Sequence, residues 1–197
     1  AYSVYSYFAP LRHSGPFQIG LQTKRSQAND AITVARDVLD TFLQEGPSAE
    51  ELAHIAVETA RVARRLGHEP RVAFLSYSTF GNPPGRWLEG IREAVAILDA
   101  ENPGFEYEGE LAPDAALNPT VMANYPFCRL SAPANVLIMP GLQSANISAK
   151  LLRELAGNAT IGPMLLGMEK PVQVAPMTAI APDVLTLAVL AAAGVCG

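Results

Sequence analysis

Histidine, cysteine and charge are all scarce in this chain, and each shortage closes off a class of function. Three histidines occur in 197 residues, at His13, His54 and His68. A Cys-His or Ser-His-Asp nucleophile would have to take its base from these three. His54 and His68 have no partner at metal-ligand spacing. The two cysteines, Cys128 and Cys196, are far apart and fit no metal or redox spacing, which points to a reduced, intracellular, cytoplasmic setting. Charged residues make up 17% and the net charge is −5, so nothing suggests nucleic acid as a partner. The densest cationic group, Arg61, Arg64 and Arg65, reads as a solvated helix face rather than a phosphate track. The longest apolar stretch, residues 184–196, contains Thr186 and is too short for a membrane span; its Ala and Leu content suits a buried terminal helix. No signal peptide is visible, and the chain opens without Met, as a processed product or a piece of something longer would. There is no Gly-x-Gly-x-x-Gly and no Gly-Lys-Ser/Thr, hence no dinucleotide fingerprint and no P-loop.

What is present is ample core material. Hydrophobic residues make up 49%, which leaves no case for disorder. One stretch organises the rest. Residues 134–140 form an apolar run of strand length, broken at Pro140-Gly141. Ser144 and Asn146 follow, and then a helical pattern over 147–155. Strand, polar turn, helix is where open α/β sheets place their ligands. Pro47-Ser48-Ala49-Glu50-Glu51 predicts a helix start with Ser48 as N-cap and Glu51 closing a capping box. Leu52, Ile55, Ala56, Thr59, Ala60, Val62 and Ala63 supply its buried stripe, and Gly67 ends it. A buried strand over 71–75 ends in hydroxyls and the loop Gly81-Asn82-Pro83-Pro84-Gly85. A helix over 86–100, a strand over 105–111, a turn and helix start over 112–117, a strand or turn over 159–167, a strand over 170–174 and a last helix led by Asp183 complete the pattern. Residues 30–41 suit either a helix capped by Asp30 or a short strand. Strands alternating with helices predict an α/β fold, a mostly parallel sheet with helices on both faces.

Several residues could carry chemistry. The hydroxyls of Ser76, Ser78 and Thr79 could serve a ligand beside backbone donors, or could simply satisfy local backbone groups. Glu106, Glu108 and Glu110 lie two apart on one strand, and a solvent-facing edge is the favoured reading over a general acid/base pair. Asp114 reads as a helix cap or structural acceptor. Cys128 has no base near it in sequence.

Taken in order, these motifs resemble the phosphate acetyl/butyryl transferase family. The matching residues are Leu75-Ser76-Tyr77-Ser78-Thr79; Glu108-Gly109-Glu110-Leu111 with Asp114-Ala115-Ala116-Leu117; Ala134-Asn135-Val136-Leu137-Ile138-Met139-Pro140 with Asn146-Ile147; and Ile161-Gly162-Pro163 with Gly167 and Lys170-Pro171-Val172. Asp40-Thr41-Phe42-Leu43-Gln44, Pro47-Ser48-Ala49-Glu50-Glu51-Leu52 and Pro163-Met164-Leu165-Leu166-Gly167-Met168-Glu169-Lys170-Pro171-Val172-Gln173 look most like the phosphotransacetylase-like region at the C-terminus of large bacterial malic enzymes. The resemblance implies a three-layer α/β/α fold of phosphotransacetylase type, akin to isocitrate/isopropylmalate dehydrogenases, over residues 40–197. Residues 1–39 match poorly and stand as a possible remnant of a first subdomain.

The departures matter as much as the matches. The family's Ser-Arg pair after Lys170-Pro171-Val172 falls at Pro176 and Met177, while its Asp is retained as Asp183. Methionine supplies no charge and proline neither hydroxyl nor backbone donor. Losing an electrostatic stabiliser of this kind costs about 10²–10³ in rate. The resemblance therefore implies no catalytic residues and no metal here, but a regulatory, oligomerising domain that senses acetyl-CoA. Ser76, Ser78, Thr79, Ser144, Asn146, Met177, Thr178 and Asp183 would line its site, with Ser144 and Asp183 as polar contacts and Met177 as an apolar one. The implied parent decarboxylates malate to pyruvate with NAD(P) and a divalent metal, both held by an N-terminal malic enzyme domain. Rival readings are a working phosphate acetyltransferase and a purely structural assembly domain. A homo-oligomer is expected, with no nucleic-acid or membrane partner.

Overall fold

The computed structural model describes residues 3–8, 17–156, 161–162, 164–166, 172–175 and 179–194. Its backbone divides into two units, Ala1–Gly46 and Pro47–Gly197. In the first unit, β1 (Ser3–Phe8) and β2 (Phe17–Gln22) form an antiparallel pair, with Ser3 opposite Gln22 and Phe8 opposite Phe17. The segment that suited either helix or strand is helical: α1 spans Ala28–Glu45. Half-buried Ala31, Ala35 and Leu39 recur every four residues along it, the helical period.

The second unit contains α2 (Ala49–Arg65), β3 (Arg71–Leu75), α3 (Glu89–Glu101), β4 (Glu106–Leu111), α4 (Pro113–Leu117), α5 (Pro119–Met122), β5 (Val136–Ile138), α6 (Leu142–Ala156) and α7 (Ala181–Ala192). The predicted capping box forms: Ser48 Oγ accepts from Glu51 N–H at 3.2 Å, and Glu51 Oε2 accepts from Ser48 N–H at 2.9 Å. Among the described residues the sheet has the order β4-β3-β5, all parallel.

Alternation along β3 divides the core between the two faces. Val72 and Phe74, with Val136 and Ile138, pack against Leu52 and Ala56 of α2 and Ile91 and Leu98 of α3. Ala73 and Leu75 face the other way, onto Leu111, Ala115, Ala116, Leu130 and Ala134. This is the helix-sheet-helix layering expected of an α/β protein. Each fully buried Leu or Phe contributes on the order of 1.5–3 kcal/mol. Pairing of β3 with β4 slips once: Phe74 lies opposite Gly109, but Leu75 lies opposite Leu111. Glu110 is the extra residue, and this bulge changes where its side chain goes. A Cβ on Gly109 would come within 2.7 Å of Phe74 Cβ, so glycine alone lets the strands approach there.

The expected strand over 170–174 is absent from the described sheet, and the segment 159–167, expected as strand or turn, adds no strand to it in its described part. Residues 161, 162 and 164–166, and residues 172–174 of the expected strand 170–174, lie in no regular element. Leu165 and Gln173 are instead joined through the Gln173 amide, at 3.2 and 3.3 Å. A side chain closing both bonds takes the place of a ladder. The other residues of those two segments lie outside the described residues.

Candidate functional site

All three parallel strands point their C-terminal ends toward one edge, and the chain leaves that edge through the turn at 76–85, through Ala112 and through 139–141. The turn after β3 is tied to the end of β4. Ser76 N–H donates to the Leu111 carbonyl at 2.9 Å and Phe80 N–H to the Glu110 carbonyl at 3.1 Å. Thr79 and Asn82 exchange two backbone bonds of 3.1 Å, and Ala112 N–H donates to Thr79 Oγ1 at 2.9 Å. Phe80 and Gly81 turn the chain in the left-handed region, at φ 48° and 88°. The Tyr77 hydroxyl packs against Gly85, where a Cβ would collide with it.

The centre of this arrangement is Glu110, 1% exposed. Its Oε1 accepts from Gly81 N–H at 2.6 Å, Ser78 Oγ at 3.2 Å and Arg92 Nη2 at 3.0 Å, and its Oε2 accepts from Arg92 Nε at 3.0 Å. Burial pushes this carboxyl up, but the bonds from Arg92 and Gly81 outweigh it and hold the carboxyl below its ordinary range. A second network lies along the same strand. Glu108, 4% exposed, accepts from Arg129 N–H at 3.0 Å, Nε at 3.3 Å and Nη2 at 3.1 Å. Arg129 Nη1 donates to Asp99 at 2.6 Å, and its guanidinium lies 4.8 Å from the Tyr107 ring centroid. Burial, followed by the Asp99 bond, pushes the Tyr107 phenol up to about 12. The Tyr107 hydroxyl, supported by Arg129 against burial, holds Asp99 below its usual range. Glu106 Oε2 accepts from Ser131 N–H and Oγ at 2.8 and 2.9 Å.

The glutamate strand therefore differs from the solvent-facing edge its spacing suggested. Glu108 and Glu110 are buried. Glu110 holds the turn at 78–81, while Glu106 and Glu108 both hold the irregular segment between α5 and β5, at Ser131 and Arg129. Their partners Arg92 and Arg129 lie 18 and 21 residues away. No local pattern connects them. The one sequence hint was a strand carrying three carboxylates among apolar residues.

The residues singled out as site candidates fall into separate groups. Ser78 is fully buried and donates to Glu110, while Thr79 accepts from Ala112. Ser76 is half-buried, and its Oγ accepts from Ser78 N–H at 3.4 Å; its own O–H has no acceptor among the described residues. Ser144 donates to the Gly141 carbonyl at 2.7 Å and Asn146 to the Leu142 carbonyl at 3.2 Å, both within the first turns of α6. Asp183 Oδ2 accepts from Ile180 N–H at 3.0 Å, at the start of α7. Among the described residues no hydrogen bond joins these three groups. Met177 and Thr178, and Pro176 beside them, lie outside the described residues, as does His13. His54 and His68 are exposed. No group of three or more His, Cys, Asp or Glu side chains placed to hold a metal occurs among the described residues. Burial is the main influence raising the Cys128 thiol above its ordinary range. No described helix is long and apolar enough to cross a membrane.

Parallel strands, helices on both faces and polar turns gathered at the strand ends define an α/β protein of the phosphotransacetylase kind. The chain belongs to the phosphate acetyl/butaryl transferase family, whose match covers residues 32–192. A separate match, to the peptidase M16 inactive domain, covers residues 1–56. The chain is 56% identical over 155 residues to an NADP-dependent malic enzyme of Rhizobium meliloti, covering 79% of this chain and 20% of that protein, in its C-terminal region. It is 39% identical over 135 residues to a phosphate acetyltransferase of Clostridium acetobutylicum, covering 68% of this chain and 40% of that one. A phosphotransacetylase from Streptococcus pyogenes superposes with a TM-score of 0.71 at 38% identity, over 76% of this chain and 46% of that one. The chain thus spans about a fifth of the Rhizobium malic enzyme's length.

Proposed function

We propose that the phosphotransacetylase-like part of this chain, residues 40–197, is a non-catalytic regulatory domain of an NADP-dependent malic enzyme and binds acetyl-CoA. The observation that carries the reading is the substitution at 176–177. The chain keeps the family pattern up to Lys170-Pro171-Val172 and again at Asp183. Between them it has Pro176-Met177 where the family's Ser-Arg pair is expected. A retained frame that lacks its charged, hydrogen-bonding pair is suited to receiving an acyl-CoA without transferring the acyl group. The similarity to a malic enzyme at 56% identity favours that parent. NADP and a divalent metal would belong to the parent's other domain.

In this reading Ser76 supplies a hydroxyl with donor capacity to spare, while Ser78 and Thr79 give the turn its shape. Asn146 Oδ1 and Asp183 Oδ1 take no hydrogen bond among the described residues and are available to ligand N–H or O–H groups. The family resemblance assigns Met177 and Thr178 to the same site. The test is calorimetry with acetyl-CoA alongside an assay for acetyl phosphate. Binding without conversion is expected. Acetyl phosphate formation would favour a working acetyltransferase, and no binding would leave an assembly domain.

The reading also includes self-association. Its support is the uncovered apolar side chains of α6, among them Leu151, Leu152 and Leu155, and of α7, Leu185 and Val189. Sedimentation equilibrium is expected to show an oligomer that Leu152→Glu with Leu155→Glu weakens. A monomer at all concentrations would sink this part alone.

A further inference from the structure

The turn at 78–81 has one pair of backbone bonds of its own, between Thr79 and Asn82, and these leave a strained residue inside it. Phe80 sits at φ 48°, a conformation that costs a non-glycine residue roughly 1–2 kcal/mol. Gly81 takes its positive φ freely, but Phe80 needs support from outside the turn. Backbone bonds to Glu110 and Leu111 supply part of it, and the side-chain part converges on one carboxylate. Glu110 receives four donors from three places: the Ser78 hydroxyl, the Gly81 amide, and two nitrogens of Arg92 on α3. Three of the bonds fall on Oε1 and one on Oε2, an acceptor-only arrangement that suits the ionised carboxylate. A protonated acid would surrender one site and the charge behind the other three. Glu110 is 1% exposed and its four bonds are all to groups of the protein, the setting of a structural carboxylate.

We propose that Glu110 is the positioning residue of the ligand turn: its ionised carboxylate, oriented by Arg92, clamps Ser78 and Gly81 and thereby fixes Ser76 and Tyr77 at the strand ends. This rests on the reading above that the turn lines the ligand site. The assignment explains three otherwise separate facts. The bulge at Glu110 takes its side chain out of register and under the turn. Gly81, whose amide makes the shortest of the four bonds, has the left-handed φ of 88° that aims that amide at the carboxylate. The Ser78 hydroxyl, fully buried beside a ligand edge, donates to this carboxylate. The charged groups acting here are Arg92 from α3 and, through Arg92, Glu89 at the start of that helix. The turn contributes only neutral donors.

The clamp is tested in the full chain with uniform ¹⁵N labelling, following the Gly81 and β3 amides beside acetyl-CoA calorimetry. In Glu110→Gln at fixed pH, the Gly81 amide is expected to exchange roughly tenfold faster or more, the range for losing a charged hydrogen bond. The β3 amides should keep their protection, and acetyl-CoA affinity should fall by a comparable factor. Arg92→Gln, at a half-exposed position, leaves the core intact. It should raise the acid midpoint at which the Gly81 resonance moves, and Arg92→Lys should restore part of the shift. An unchanged Gly81 exchange rate in Glu110→Gln, or an unchanged midpoint in Arg92→Gln, overturns the clamp. A wild-type chain that ignores acetyl-CoA while Gly81 responds as described refutes the ligand reading and leaves the clamp standing. Binding that survives with Gly81 released overturns the positioning role.

Discussion

At the residue scale, the energetics are concentrated on buried carboxylates whose cations reach the surface. Glu108 is buried, while the Arg129 side chain is 41% exposed. Solvent screens part of the attraction, but removing the cation strands a buried charge and three hydrogen bonds. Arg129→Met should therefore cost about 2–3 kcal/mol, below the figure for a fully buried pair, measured by urea unfolding. Arg129→Lys should fall between, since it keeps the charge and loses the fork. The pH dependence follows from direction. Glu110 and Asp99 have folded pKa values below their unfolded ones. The unfolded chain binds more protons in that interval, so their stabilisation is present at neutral pH and disappears as pH falls through the folded values. Tyr107 does the reverse. Raised from 10.0 to about 12, it contributes stability present below pH 10 and lost as pH rises through about 12. Circular dichroism against pH should show a stability plateau with an acid limb and an alkaline limb. Tyr107→Phe should flatten the alkaline one. None of this was legible in the sequence, because carboxylates spaced two apart describe a strand face but not the residues that cross over to meet them.

At the element scale, legibility follows how local the determining interaction is. The start of α2 could be read directly, because Ser48 and Glu51 satisfy each other within one turn. Ser48→Ala should lower stability by about 1 kcal/mol, a Tm shift of roughly 2–4 °C in a domain of this size. The position of β5 was legible from its apolar run, yet the strand stops at Ile138, before the proline that cannot donate to a ladder. The bulge in β4 was not legible, since it depends on the approach of Phe74 to Gly109. Gly109→Ala forces a methyl into that contact and should cost about 1–3 kcal/mol, read as a lower urea midpoint with an unchanged slope. The expected strand at 170–174 shows the converse. Val172 and Val174 have strand-forming side chains, but propensity does not supply a neighbour, and in the described part the Gln173 amide makes the connection instead.

At the scale of the whole molecule, the two units differ in what they can sustain. Among its described residues, Ala1–Gly46 offers one antiparallel strand pair and one long helix, and a two-stranded pair is marginal by itself. Pro47–Gly197 has a sheet with a core on each face. Acetyl-CoA, in the proposed reading, binds residues of the second unit only. A ligand stabilises only what it binds in the folded state, by about 2.7 kcal/mol at a hundred times its dissociation constant. Amide exchange with and without saturating acetyl-CoA should therefore separate the units. Protection of β3 and α2 amides should rise with ligand by roughly a hundredfold where exchange requires global opening, the same linkage energy expressed as a ratio. Amides of β1 and β2 should exchange quickly in both conditions. A ligand effect shared equally by both units would mean that they open together as one cooperative unit.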